Sequence, residues 1–229
     1  MRYNIDPKRR ITRARRFFAG LVLASAMGSA HGQTLTAPVT PAIITPPNGH
    51  SLFLVAPAAG TQGYICLPTS AGAATASWTV KPSRPEATLF QRVFGLDVQI
   101  ATHFLSPDAN PNDAAPNPLP FGNATWQSSF DSSRVWAAVL NKNMIDAGTD
   151  PNSCPNTGSI ACLLLETVGS KEGPTGGTLL SKTTFVQRLN TKGGSAPAEG
   201  CSVSTDVGKQ ALVPYTADYF FYKADTKYF

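Results

Sequence analysis

After residue 50, apolar and polar residues alternate with a period of two along much of the chain, and no segment sustains a helical period beyond about two turns. LDVQIATHFL is the clearest case. Val98, Ile100, Thr102 and Phe104 fall on one face, and Asp97, Gln99, Ala101 and His103 on the other. TLLSKTTFVQRLNT is the longest strand candidate. It sets Thr183, Phe185, Gln187 and Leu189 against Thr184, Val186, Arg188 and Asn190. SLFLVAPAAGTQGYICLP reads as two apolar runs around a glycine turn, hence a hairpin. ATASWTV and SIACLLLETVGS read as single strands, and ATWQSSFDSSRVWAAVLN as strand, turn, strand. QALVPYTADYFFYK is two strands, or one broken at Pro214. Residues 106–123, dense in proline and asparagine, predict a long loop. The expected fold is all-β, an antiparallel β-sandwich or flattened barrel with long loops.

Composition fits this reading: 19 glycines, 19 prolines and 14% charged residues suit short strands joined by turns. The basic pI of about 9.1 comes from one segment. Residues 1–32 carry seven basic side chains and one acid; the rest carries twelve and thirteen, a net charge of −1. No basic excess remains to neutralise phosphates, so nucleic acid is not an expected partner. The basic KRRITRARR before the short apolar FFAGLVLASAMGSA predicts a signal peptide over residues 1–32, cleaved before Gln33. Arg15-Arg16 before Phe17-Phe18 also suits twin-arginine export, beside the general secretory route. No later run is long enough to span a membrane as a helix. The expected location is therefore secreted or periplasmic. Residues 33–50, rich in proline and threonine, read as a linker or edge segment, and 51–229 as a single β domain.

Cys66, Cys154, Cys162 and Cys201 all follow the leader, and an even count in an exported chain reads as two disulfides. Of the three possible pairings, Cys154–Cys162 would close a local loop. Cys66–Cys201 would then tie an early strand to a late loop. Loop-closure entropy gives about 2–3 kcal/mol for the first and about 5 kcal/mol for the second. The spacing is not that of a zinc site, and only His50 and His103 follow the leader, so neither metal nor cofactor is expected.

GYIC, THF, TW followed by DSSRV, FVQRLNTKGGSAPAEGC and VPYTADYFFY occur in the order seen in the exported domain of unknown function 3455 family. The chain resembles that family over about residues 45–224. The resemblance implies a secreted or periplasmic domain with no assigned activity. A dehydrogenase is not indicated, because the chain has neither G-x-G-x-x-G nor βαβ alternation.

Candidate chemistry is sparse. His103 could act as a general base, Asp131 could orient it and Arg188 could hold an anion, which would make a hydrolase or lyase. No G-x-S-x-G elbow accompanies them. Trp126, Gln187, Asn190 and Tyr222 are the candidate ligand contacts, with the aromatic YTADYFFY strand as a stacking surface. The expected role is a non-enzymatic binding or envelope-associated module, with polysaccharide as a candidate partner.

Overall fold

A computed structural model describes residues 35–80, 86–106, 123–140 and 158–225. These form one short 3-10 turn, Ala42–Ile44, and nine strands: β1 His50–Pro68, β2 Ala76–Thr79, β3 Glu86–Val93, β4 Leu96–Ser106, β5 Asn123–Ser128, β6 Arg134–Val139, β7 Leu163–Lys171, β8 Phe185–Gly193 and β9 Gln210–Ala224. The fold is all-β. Every pairing is antiparallel, in the order β2-β1-β3-β4-β5-β6-β7-β8-β9, and β9 pairs back on β1 so that the sheet closes into a ring. No helix among the described residues is long and apolar enough to cross a membrane.

Closure depends on β1. It is one 19-residue strand, not the expected hairpin, and pairs with β9 over almost its whole length, from His50 against Ala224 to Ile65 against Gln210. Gly60 lies within the strand because β3 crosses close by: a Cβ there would collide with the Glu86 carbonyl and Ala87. β9 likewise runs unbroken through Pro214. That residue lies just past the last β8 partner, where a missing N–H costs no bond to β8.

Two apolar cores result. Inside the ring, Ala56, Leu89, Ile100, Trp126, Val135, Leu165, Val186, Tyr219 and Phe221 pack together from eight strands. Outside β7, β8 and β9, Leu164, Phe185, Leu189, Phe220 and Tyr222 pack under Ile44 of the 3-10 turn. β-Bulges decide which residues face which core. In β4 the extra residue is Ile100, and beyond it Ala101 and His103 turn inward. In β8 the register shifts between Leu189 and Lys192, where Asn190 takes φ +52° and leaves the row begun by Val186 and Arg188.

Cys66 on β1 is bonded to Cys201, 135 residues away. The Trp78 Nε1–H donates to the Gly200 carbonyl at 2.7 Å beside the bridge. The other expected pairing involves Cys154, which lies outside the described residues.

Candidate functional site

The sequence-derived candidates fall into four surroundings. Asp131 lies in the β5–β6 turn. Its Oδ1 accepts from the Ser133 N–H at 3.0 Å and hydroxyl at 2.7 Å, and its Oδ2 accepts from the Leu179 N–H at 2.8 Å. Lost solvation pushes its carboxyl up, but the donors from Leu179, Ser133 and Ser128 outweigh that and hold it down at about 2. Gly173 and Gly177 pass so close to this residue that a Cβ on either would strike it. The carboxylate is therefore the hub of a loop junction.

His103 and Trp126 meet inside the ring, stacked with centroids 4.4 Å apart and planes 13° apart, and Tyr219 lies against both. His103 Nδ1 is 2.9 Å from the Thr125 carbonyl, so Nδ1 carries the proton and donates. Burial drives the imidazole down to about 4 against the opposing pull of that carbonyl; the positive charge of Arg188 lowers it further. At neutral pH the ring is uncharged. No hydrogen bond joins Asp131 to His103 or to Arg188.

Gln187 and Tyr222 face the outer core. The Gln187 amide donates to the Ile44 carbonyl at 2.6 Å and the Thr40 hydroxyl at 3.2 Å, and accepts from the Tyr222 hydroxyl at 3.0 Å. Burial pushes Tyr222 up to about 12. Both side chains grip residues 40–44 of their own chain.

Asn190 stands on the outer surface and donates to Asp218 at 2.7 Å. With Lys192 and Asp218 it lines one side of a groove of about 760 Å³, and Phe90, Arg92 and Asp97 of the β3–β4 hairpin line the other. Pro57, Ala59 and Thr216 lie between them. Arg92 and Asp97 are 3.6 Å apart across the hairpin. Lys192 has no ion-pair partner among the described residues. The hairpin tip turns through Phe94 at φ +50° and Gly95 at φ +82°, with Phe94 fully exposed.

Arg188 points into the ring. Its Nε and Nη2 donate to the Ala161 carbonyl at 3.1 and 2.8 Å. Sequence reasoning missed two further polar residues on the inward face, Gln62 and Tyr64, because this stretch reads as two apolar runs around a glycine turn. The signal was the two-residue spacing that links them to Ala58 and Cys66 on one face of β1. Trp136 faces away from Trp126: the two lie on adjacent strands, Trp126 opposite Val135 and Trp136 opposite Thr125.

A family model described as "Protein of unknown function (DUF3455)" matches residues 46–223. No curated protein and no solved structure matches the chain.

Proposed function

The chain belongs to the DUF3455 family, and from that premise we propose that it is an exported, non-catalytic module that binds a polysaccharide of the cell envelope or its surroundings. The observation that carries this reading is the outer groove. It combines an apolar floor with planar amide, carboxylate and guanidinium groups from Asn190, Asp218, Asp97 and Arg92, a mixture suited to the apolar faces and hydroxyl edges of sugars. Export is supported by the leader-like N-terminus and by the Cys66–Cys201 bridge, which an oxidising compartment preserves.

The hairpin tip adds support. Two-residue turns with positive φ at both positions favour Asn-Gly, and a bulky residue there costs about 1 kcal/mol. Phe94 occupies the first position yet packs on nothing, so its side chain is better explained by an external contact.

Affinity electrophoresis of the full chain through gels containing soluble envelope or plant polysaccharides tests the reading. Retardation of the wild type is expected, weakened about tenfold by Phe90→Ala or Asn190→Ala and unaffected by the interior substitution Trp126→Phe. Free migration in every gel, or equal retardation of all variants, would remove the groove from consideration.

A further inference from the structure

The inward face of the ring carries a cation, Arg188, that no carboxylate among the described residues balances. Two N–H groups of Arg188 are spent on the Ala161 carbonyl, and the rest of its guanidinium has no partner among the described residues. The acids that might have served it are engaged elsewhere: Asp97 with Arg92, Asp131 with Ser133 and Leu179, and Asp218 with Asn190. Arg188 keeps partial solvent access, so a solute can reach it.

Two further interior groups, Gln62 and Trp126, are also unmatched among the described residues. Gln62 is 6% exposed, lies on the inward row of β1 between Gly60 and Tyr64, and its amide has no partner among the described residues. The Trp126 indole N–H is buried and unpartnered. Tyr215 and Tyr219 hold each other, hydroxyl to hydroxyl, at 3.0 Å, while Tyr64 donates to the Gly194 carbonyl at 2.6 Å. Tyr219 lies directly across from Arg188 on β9 and touches His103, Trp126 and Tyr215, which gathers these rings on the side of the ring where Arg188 enters. Buried polar groups in folded proteins are nearly always satisfied, so the Trp126 N–H and the Gln62 amide, beside a cation with no acid to balance it, point to a partner that comes from outside the chain.

We propose that the interior of the ring binds a small organic monocarboxylate, its carboxylate forked onto Arg188, its apolar body against the tyrosine and tryptophan rings, and the Gln62 amide available to its remaining polar atoms. The charge balance selects the class. Burial holds His103 down and pushes Tyr64 and Tyr215 up, so at pH 7 the charge at this site is that of Arg188. A single carboxylate cancels it, whereas a dianionic phosphate would leave an unpaired negative charge in a low-dielectric space. A planar guanidinium also matches a carboxylate in two parallel hydrogen bonds. This site is separate from the outer groove and does not depend on polysaccharide binding there.

Calorimetric titration of the full chain, with the Cys66–Cys201 bridge oxidised, tests the site. The probes are sodium benzoate and sodium butyrate, with phosphate and sulfate as separate arms. One carboxylate is expected to bind saturably at one site, about tenfold or more weaker on Arg188→Gln and about threefold weaker on Gln62→Leu. Should Arg188→Gln lose its near-ultraviolet circular dichroism, Arg188→Lys replaces it. That variant keeps the charge without the fork, and the same loss is expected. The proposal is overturned if neither carboxylate saturates, if the Arg188 variant binds as the wild type does, or if phosphate or sulfate binds more tightly than both carboxylates.

Discussion

Gln187 and Arg188 are consecutive on β8 and face opposite sides of it. Gln187, on the outward face, is fully buried, and both ends of its amide are bonded: to Ile44 and Thr40 on one side and to Tyr222 on the other. Arg188, on the inward face, has one carbonyl for five donors and no carboxylate among the described residues. Both are candidate site residues in the sequence, Gln187 as a ligand contact and Arg188 as the anion holder of a catalytic set. Their surroundings separate them. A polar side chain whose bonds are all made within its own chain already has a task, which is to hold residues 40–44 over the outer core. One left with unspent donors on the inward face has a capacity the fold itself does not use.

The largest expected effect tests the first half of that contrast. Gln187→Ala removes packing and also leaves the Ile44 carbonyl and the Tyr222 hydroxyl unpaired. It should cost about 3 kcal/mol in urea unfolding. Tyr222→Phe, which deletes one bond, should cost about 1 kcal/mol. A loss below about 1 kcal/mol for Gln187→Ala would mean that the 40–44 segment is held by apolar contact alone and that the amide is not its anchor.

His103 extends the contrast to pH. Its imidazole is held at about 4 when folded, against an ordinary value of 6.5. Between these values the unfolded chain binds the proton and the folded chain does not. Stability is therefore complete above about pH 6.5 and falls as the pH approaches 4, by about 3 kcal/mol in total. Unfolding curves at pH 7, 5.5 and 4.5 should show this slope in the wild type and a flatter one in His103→Gln. A His103 proton resonance that titrates near 6.5 would place the ring in contact with solvent, and the interior would then be no low-dielectric chamber.

Asp131 provides a smaller control, because its carboxylate is satisfied much as Gln187 is. Its folded value of about 2 lies below the ordinary 3.8, so its contribution is present above about pH 4 and is lost as the pH falls through 2. Asp131→Asn should cost about 1–2 kcal/mol at pH 7, with allowance for partial solvent screening, and wild type and variant should converge near pH 2. A constant gap across that range would assign the effect to geometry and not to charge.

The alternation in FVQRLN was legible because a strand with a core on each face imposes strict parity, and Gln187 and Arg188 do take opposite sides. Parity failed where a bulge intervened. Asn190 shares a row with Arg188 in sequence, but its left-handed backbone carries it to the outer groove. β1 was misread because a glycine required for the close approach of β3 looks the same in sequence as a glycine required for a turn. Two of the three partners of Gln187 lie 143 and 147 residues away, and the groove is lined by strands from both ends of the chain. Local pattern carries no information about such meetings.

The smallest expected effect is the most informative. Arg188→Met keeps the volume of the side chain, removes a cation whose burial is uncompensated, and gives up only the bonds to one carbonyl. Replacing an ill-matched interior charge by an apolar side chain of similar size is often neutral or stabilising. The variant should therefore unfold within about 1 kcal/mol of the wild type, or later, even though its neighbour in sequence costs about 3 kcal/mol when truncated. A loss of about 3 kcal/mol at Arg188 as well would erase the difference between the two residues, because the arginine would then be a structural element like Gln187. An unchanged or raised midpoint, in urea and in heat, would mean that the chain retains this charge at no benefit to its own stability. That is the thermodynamic mark of a residue held for a ligand.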